Sequence, residues 1–170
     1  VAHLSSNNTF SAADELSVHF TMTGLKGDTG STGATGASGV AGLAMTWSSS
    51  TSDADPGAGK IAFNNGTVSS VSILYVDDAD DASVDISGFV QSWDDVSNST
   101  ARGYVTVTKE GTPSTYATFK VSGAVTDASG YTKVPVTHIV SNGSFSNEDG
   151  VGVQFVQSGA DGSDGDMTSF

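Results

Sequence analysis

The sequence predicts a mainly β protein: an antiparallel β-sandwich or barrel-like bead with one short helix, flanked by collagen-like triple-helical segments and assembled as a homotrimer. Three observations predict it. Glycine recurs at every third position from Gly24 to Gly42, short segments rich in Val, Thr, Tyr and Phe alternate with Asp/Asn/Gly/Ser/Pro clusters after it, and 27 Ser plus 19 Thr leave helix formers scarce among 170 residues. The chain has no Cys and a net charge of −13. Disulfides, thiolate zinc sites and cysteine nucleophiles are therefore excluded, and the acidic surface has the wrong sign for tracking a phosphate backbone. Nucleic acid is not an expected partner. No run of 18 apolar residues is present to insert into a membrane, and no basic-then-apolar leader is visible in the first 20 residues.

In residues 1–23, Leu16, Val18, Phe20 and Met22 alternate with Ser17, His19 and Thr21, the period of a half-buried strand. The segment is too short for a core. It is expected to be the C-terminal strand or strands of an upstream β domain, with a free arm adding to a neighbour's sheet edge as the alternative. Residues 24–44 hold seven triplets, with Gly24, Gly27, Gly30, Gly33, Gly36, Gly39 and Gly42 in strict register. Three polyproline-II-like chains wind round an axis where only a hydrogen atom fits, so these glycines are the expected trimer axis of a rod of about 60 Å. Lys26-Gly27-Asp28 sets a cation just before an anion that staggered chains can pair. The competing reading is a flexible linker, which the lack of proline in the run favours; a linker, however, needs no register, and the period never slips. A short rod without proline needs folded trimers beside it as clamps.

Residues 45–158 are the only stretch able to bury a substantial core. Expected strands are 46–50, 60–63, 71–76, 103–109, 116–122, 131–140 and 150–157. Ile86, Phe89, Val90 and Trp93 stand at i, i+3, i+4 and i+7, which predicts a short amphipathic helix over 83–93 capped by Ser83 or Asp85 and covering one face or end of the sheet. Trp47 and Trp93 are expected in the core or at a subunit contact. In residues 159–170, Gly159, Gly162 and Gly165 restart the triplet period and read as the start of a second collagen-like segment.

Candidates for chemistry are few. His3, His19 and His138 are isolated, with no metal-ligand spacing and no nucleophile elbow near them, so no catalytic residue is assigned and the chain is not read as an enzyme. Gly57-Ala58-Gly59-Lys60 resembles the end of a phosphate loop, but Ala54 and Ile61 stand where that loop needs Gly and Ser/Thr, so it reads as a turn before a strand. Loop carboxylates at Asp53, Asp55, Asp77, Asp78, Asp80, Asp81, Asp94 and Asp95 are hard ligands, and Asp53, Asp55, Asp77 and Asp78 are the candidate calcium ligands, calcium being the one cofactor considered. Paired carboxylates also admit glycoside hydrolysis, for which one small bead offers little groove. The Asn-X-Ser/Thr matches at Asn7, Asn65, Asn98 and Asn142 are given no function in so Asn/Ser/Thr-rich a chain.

The succession GLKGDTGSTGATGASG, then MTWSSSTSDADPGAGKIAFNN, then SWDDVSNSTARGYVTV, then GADGSDGD resembles the tail-fibre and related appendage proteins of tailed bacteriophages, DPGAGK and SWDD being the most telling parts. The resemblance implies a structural component of a homotrimeric virion appendage, assembled in the host cytoplasm, whose shaft carries β beads toward the host surface and can help adsorption. Its implied partners are further copies of itself, other tail or capsid proteins, and host-surface glycan. The alternatives are a carbohydrate-binding module on a fibre and a bacterial collagen-like surface adhesin. A solvent-facing Tyr75, Tyr104, Tyr116 or Tyr131 beside loop carboxylates favours glycan binding; aromatics buried at a three-fold interface favour a structural role.

Overall fold

The computed structural model describes residues 42–96, 98–99 and 102–159. The expected strand at 16–22, the triplets up to Gly39, and Gly162 and Gly165 lie outside the described residues. What is described is mainly β, a closed seven-stranded barrel with one short helix. In chain order the elements are β1 (Leu43–Ser48), β2 (Lys60–Phe63), β3 (Ile73–Asp77), α1 (Ser87–Gln91), β4 (Gly103–Lys109), β5 (Tyr116–Val121), β6 (Thr126–Asp127), β7 (Tyr131–Asn142) and β8 (Gly150–Gln157). The ring runs β3-β2-β1-β8-β4-β5-β7 and closes through β3 on β7, while the two-residue β6 pairs on the flank of β7. Closure leaves no long unpaired edge in the ring, which removes the usual template for edge-to-edge aggregation.

Alternation carries the barrel. Along β5, Ala117, Phe119 and Val121 are buried and Tyr116, Thr118 and Lys120 face out, and on β4 Val105 and Val107 point inward beside them. The core gathers these with Met45, Trp47, Ile61, Phe63, Leu74, Val76, Val134, Val136, Val151 and Val153. The register between β5 and β7 shifts between Thr118 and Phe119: Phe119 faces His138 and Thr118 faces Val140, so Ile139 is the extra residue of a bulge in β7. Bulges of this kind bend a strand, which helps a sheet to close.

Four departures from the sequence reading have clear physical reasons. First, β1 starts at Leu43, so Leu43 and Ala44 of the last triplet pair with Val153 and Gly152 of β8. Gly42 stands at φ +155°, and a Cβ there would come within 2.5 Å of the Val153 carbonyl oxygen. Second, β1 and β2 pair in parallel, the single parallel pairing among the described strands. A parallel neighbour needs a crossover, and the 49–59 connection supplies it. Third, the helix is shorter than 83–93: α1 spans Ser87–Gln91 and continues as a 3₁₀ turn, Ser92–Asp94. Ile86 is the N-cap without a side-chain bond, and Asp85 just before it accepts from the Ser87 backbone N–H and hydroxyl at 3.0 and 2.7 Å. Ser83, the other expected cap, sits at φ 61° in the preceding turn. Fourth, Phe89 is exposed while Ile86, Val90 and Trp93 are buried.

Entry and exit of the chain share one end of the barrel. Gly42 lies against Val153 and Gln154, and the neighbouring antiparallel strand β8 runs on to Gln157, which pairs with Gly103, before Ser158 donates to the Arg102 carbonyl. Leu43 pairs with Val153, so the last residue of β8, Gln157, is about 14 Å beyond the first of β1 at about 3.4 Å per residue. The same end is closed by α1 and its 3₁₀ turn, which lie in sequence between the end of β3 and the start of β4. Trp93 is fully buried and stacks on Phe155 of β8, with ring centroids 5.0 Å apart and planes at 15°. Gly103 makes room for this: a Cβ there would stand 2.4 Å from the Phe155 ring.

Candidate functional site

The opposite end of the barrel is open. The last residues of β1, β2 and β7 converge there with the 64–67 and 143–149 loops, and between them lies a cleft of about 150 Å³. Its floor is aromatic. Trp47 from β1 is flanked by Phe63 of β2 at 4.3 Å, edge to face, and by Phe145 of the 143–149 loop at 5.1 Å with planes tilted by 36°. Its rim is polar and uncharged: Thr51, Asn65 and Ser144. The Asn65 side-chain oxygen accepts from the Thr67 N–H at 2.8 Å, and its amide nitrogen has no partner among the described residues. The Thr51 and Ser144 hydroxyls likewise have no partner among the described residues.

The wall formed by residues 143–149 is built rigidly. Gly143 has φ +72° and lies so close to Thr115 that a Cβ would approach its hydroxyl to 2.5 Å. Ser146 N–H donates to the Asp149 carboxylate at 2.7 Å, and Asp149 N–H returns a bond to the Ser146 carbonyl. Asn147 Oδ1 accepts from both the backbone and hydroxyl of Ser49, and Glu148, at φ 67°, donates its N–H to the Trp47 carbonyl. Two ion pairs anchor the loop: Lys60 to Glu148 at 2.6 Å and Lys109 to Asp149 at 2.7 Å. The Lys109 bond and the Ser146 N–H hold the Asp149 carboxyl below its ordinary range. A concave, largely apolar, preformed site with a few convergent polar groups is the general form of a small-ligand site.

The four candidate calcium ligands are engaged by protein donors. Asp53 accepts from the Tyr131 hydroxyl at 3.0 Å and pairs with Lys133 Nζ at 2.6 Å. Asp55 caps its own turn by accepting from Gly57 N–H. Asp77 is buried and accepts from Gly59 and Ala79 N–H groups, both at 2.9 Å. Asp78 accepts from the Thr132 hydroxyl, and burial pushes its carboxyl above the ordinary value. Among the described residues no three His, Asp or Glu side chains form a metal-sized cluster. Gly57 and Gly59, both at positive φ, form the turn that starts β2, as the sequence reading held.

The Asp53 group is a clip. It ties the 49–59 crossover to the outer face of the sheet, over a small cluster of Ala62, Tyr75 and Tyr131. The Lys133 and Tyr131 bonds hold the Asp53 carboxyl low; its bond to Asp53 raises Lys133; burial first, then Asp53, raises Tyr131. Each shift stabilises the state that the group already holds at neutral pH, the reverse of what a general base or nucleophile needs.

The expected tyrosines divide. Tyr75 and Tyr131 are buried, Tyr116 is half-buried, and Tyr104 is exposed on the outer face of β4. Around Tyr104 the outward residues form two rows across β8, β4, β5 and β7: Val156, Tyr104, Lys120 and Thr137, then Gln154, Thr106, Thr118 and Val140. Lys120 is the single charge in these rows, on a chain whose net charge is −13. Trp47 and Trp93 are both in the core, as expected; that Trp47 also floors a cleft was not read from sequence. Phe145 was missed as well, although a lone aromatic inside the polar run Ser141-Asn-Gly-Ser-Phe-Ser-Asn147 is a signal that could have found it. Comparison with protein-family models, with curated proteins and with solved structures gives no match.

Proposed function

We propose that the barrel is a structural bead of a homotrimeric fibre or other virion appendage of the tailed-phage kind, mounted on a collagen-like shaft and carried toward the host surface. One observation carries the reading: the strict glycine period leads directly into β1 at Gly42, and β8 returns the chain to the same end of the barrel, where glycine resumes its period at Gly159.

Further support comes from the barrel's flank. Copies carrying thirteen excess negative charges repel one another, so a protomer contact is best made by a face without carboxylates. The rows around Tyr104 and Val156 are such a face, and they lie on the strand by which the chain leaves. In this account the partners are two further copies and the neighbouring proteins of the appendage.

Gly33→Val tests the reading. A branched side chain at the crowded axis disrupts a triple helix locally, so the variant is expected to lower the melting temperature of the assembled trimer while the barrel's own unfolding transition stays in place. Unchanged melting and unchanged assembly would overturn the triple-helical shaft.

A further inference from the structure

The cleft between Trp47, Phe145 and the Asn65 and Ser144 rims lies at the barrel end remote from both Gly42 and Gln157. We infer that this cleft is a binding site for one neutral pyranose unit at the end of a surface polysaccharide. The inference rests on the bead reading for its biological setting; the cleft itself is independent of it.

The chemistry of the lining selects the ligand. A pyranose has an apolar C–H face and a belt of hydroxyls. The half-buried Phe145 ring offers the apolar face against which the first can lie, with the edge of Trp47, 7% exposed, beneath it, and aromatic side chains contribute large contact area at low entropic cost. The Thr51 and Ser144 hydroxyls and the Asn65 amide nitrogen stand at the rim without partners among the described residues, suited to the second. A purely apolar ligand would leave these groups unpaired on desolvation, which costs affinity. Among the described residues no charged side chain lines the cleft, and the acidic chain disfavours anionic sugars by its field. At about 150 Å³ the cleft is smaller than the ~300–1,000 Å³ of pockets for drug-sized ligands, which suits a single ring at the end of a chain. The floor is preformed, since Phe63, itself in the lining, packs edge to face on Trp47 at 4.3 Å and on Phe119 at 5.0 Å. A site of this size holding one ring binds weakly alone, with Kd on the order of 1 mM. Three such sites displayed together gain avidity if they engage one polysaccharide surface at once.

The test is a titration of the full chain with glucose, galactose, mannose and N-acetylglucosamine, and with N-acetylneuraminic acid as the anionic comparator, followed by ¹H–¹⁵N correlation spectra. At least one neutral sugar is expected to shift the Trp47 indole and the Thr51, Asn65 and Ser144 amides with millimolar affinity, and the anionic sugar to leave them in place. Gly66→Phe provides the blocking variant. Gly66 lines the cleft, and nothing lies within 4 Å of a Cβ built there, so a side chain can start at this position without a backbone clash and occupy the cleft. It is expected to weaken binding more than tenfold with an unchanged spectrum elsewhere. The inference is overturned if none of the four neutral sugars shifts these residues up to about 50 mM, well above a millimolar Kd, if the shifts fall on another surface, or if Gly66→Phe binds as the parent does. Sedimentation velocity on the same samples separates the two claims: a trimer that ignores all four sugars loses the cleft alone, and a monomer that binds keeps the cleft and loses the shaft.

Discussion

The two ends of the barrel show how one set of strands can finish in opposite ways. At the end where the chain enters and leaves, Trp93 is fully buried, stacks on Phe155 and is covered by a helical turn, so the core is sealed. At the other end the aromatic sequence Phe119, Phe63, Trp47, Phe145 runs outward from the core to a mouth rimmed by hydroxyls and amide. The glycines differ in parallel. Gly103 at the sealed end is forced by the Phe155 ring, whereas Gly66 at the open end has free space beside it. The contrast teaches that one end closes its core with a stacked aromatic pair under a helical turn, while the other, held by the Lys60–Glu148 and Lys109–Asp149 ion pairs, leaves an aromatic cleft at its mouth.

The largest effect is expected from Trp93→Ala. Removing a fully buried tryptophan costs about 3–5 kcal/mol, readable as a fall in the urea midpoint; a loss within the range of surface substitutions would break the idea of a sealed end. Gly103→Ala follows, since the added Cβ meets both the Phe155 ring at 2.4 Å and the Val156 carbonyl oxygen at 2.7 Å. Overpacking of this kind costs about 1–3 kcal/mol, and the matched Gly66→Ala is expected to stay within about 0.5 kcal/mol. Equal losses at the two glycines would erase the comparison. On the flank, Val156→Asp is expected to leave the barrel's unfolding midpoint nearly unchanged but to shift the sedimentation profile toward monomer, because it puts like charges face to face. A trimer that tolerates it would move the protomer contact to another face.

The smallest expected effect is that of acid. Asp53, lowered chiefly by Lys133, and Asp149, lowered chiefly by Lys109, have folded values below their unfolded ones. Each therefore contributes stability that is present above the unfolded carboxylate range, near pH 4, and is lost as pH falls through the folded value. The urea midpoint is expected to drop below pH 4, and a double variant, Asp53→Asn with Asp149→Asn, to flatten that part of the profile. An identical acid limb in the double variant would assign the loss to other carboxylates.

Much of the barrel was legible because its strands are local signals. Alternation in Gly103–Lys109 and Tyr116–Val121 marks both the strands and their inward faces, and turn residues fix the ends. The start of β1 was harder to read, since Gly42-Leu43-Ala44 satisfies a glycine triplet and a strand entry at once. The helix was overextended because Ile86, Phe89, Val90 and Trp93 keep helical spacing while Trp93 is in fact reached through a 3₁₀ turn. What no local pattern encodes is the parallel pairing of β1 with β2 and the meeting of Trp47 with Phe145, residues that only barrel closure brings together. The cleft was thus invisible in the sequence, although each of its residues was in plain view. Likewise, the Asp53 and Asp77 carboxylates read as exposed loop ligands until the fold supplied Lys133, Tyr131 and the Gly59 N–H as their partners.

The most direct test of the account is the solution mass of residues 1–170 by light scattering over a range of concentrations. The account predicts three times the chain mass, 17.1 kDa, at every concentration above dissociation. A mass of one chain throughout would contradict the triple-helical shaft and leave the barrel as a free-standing module.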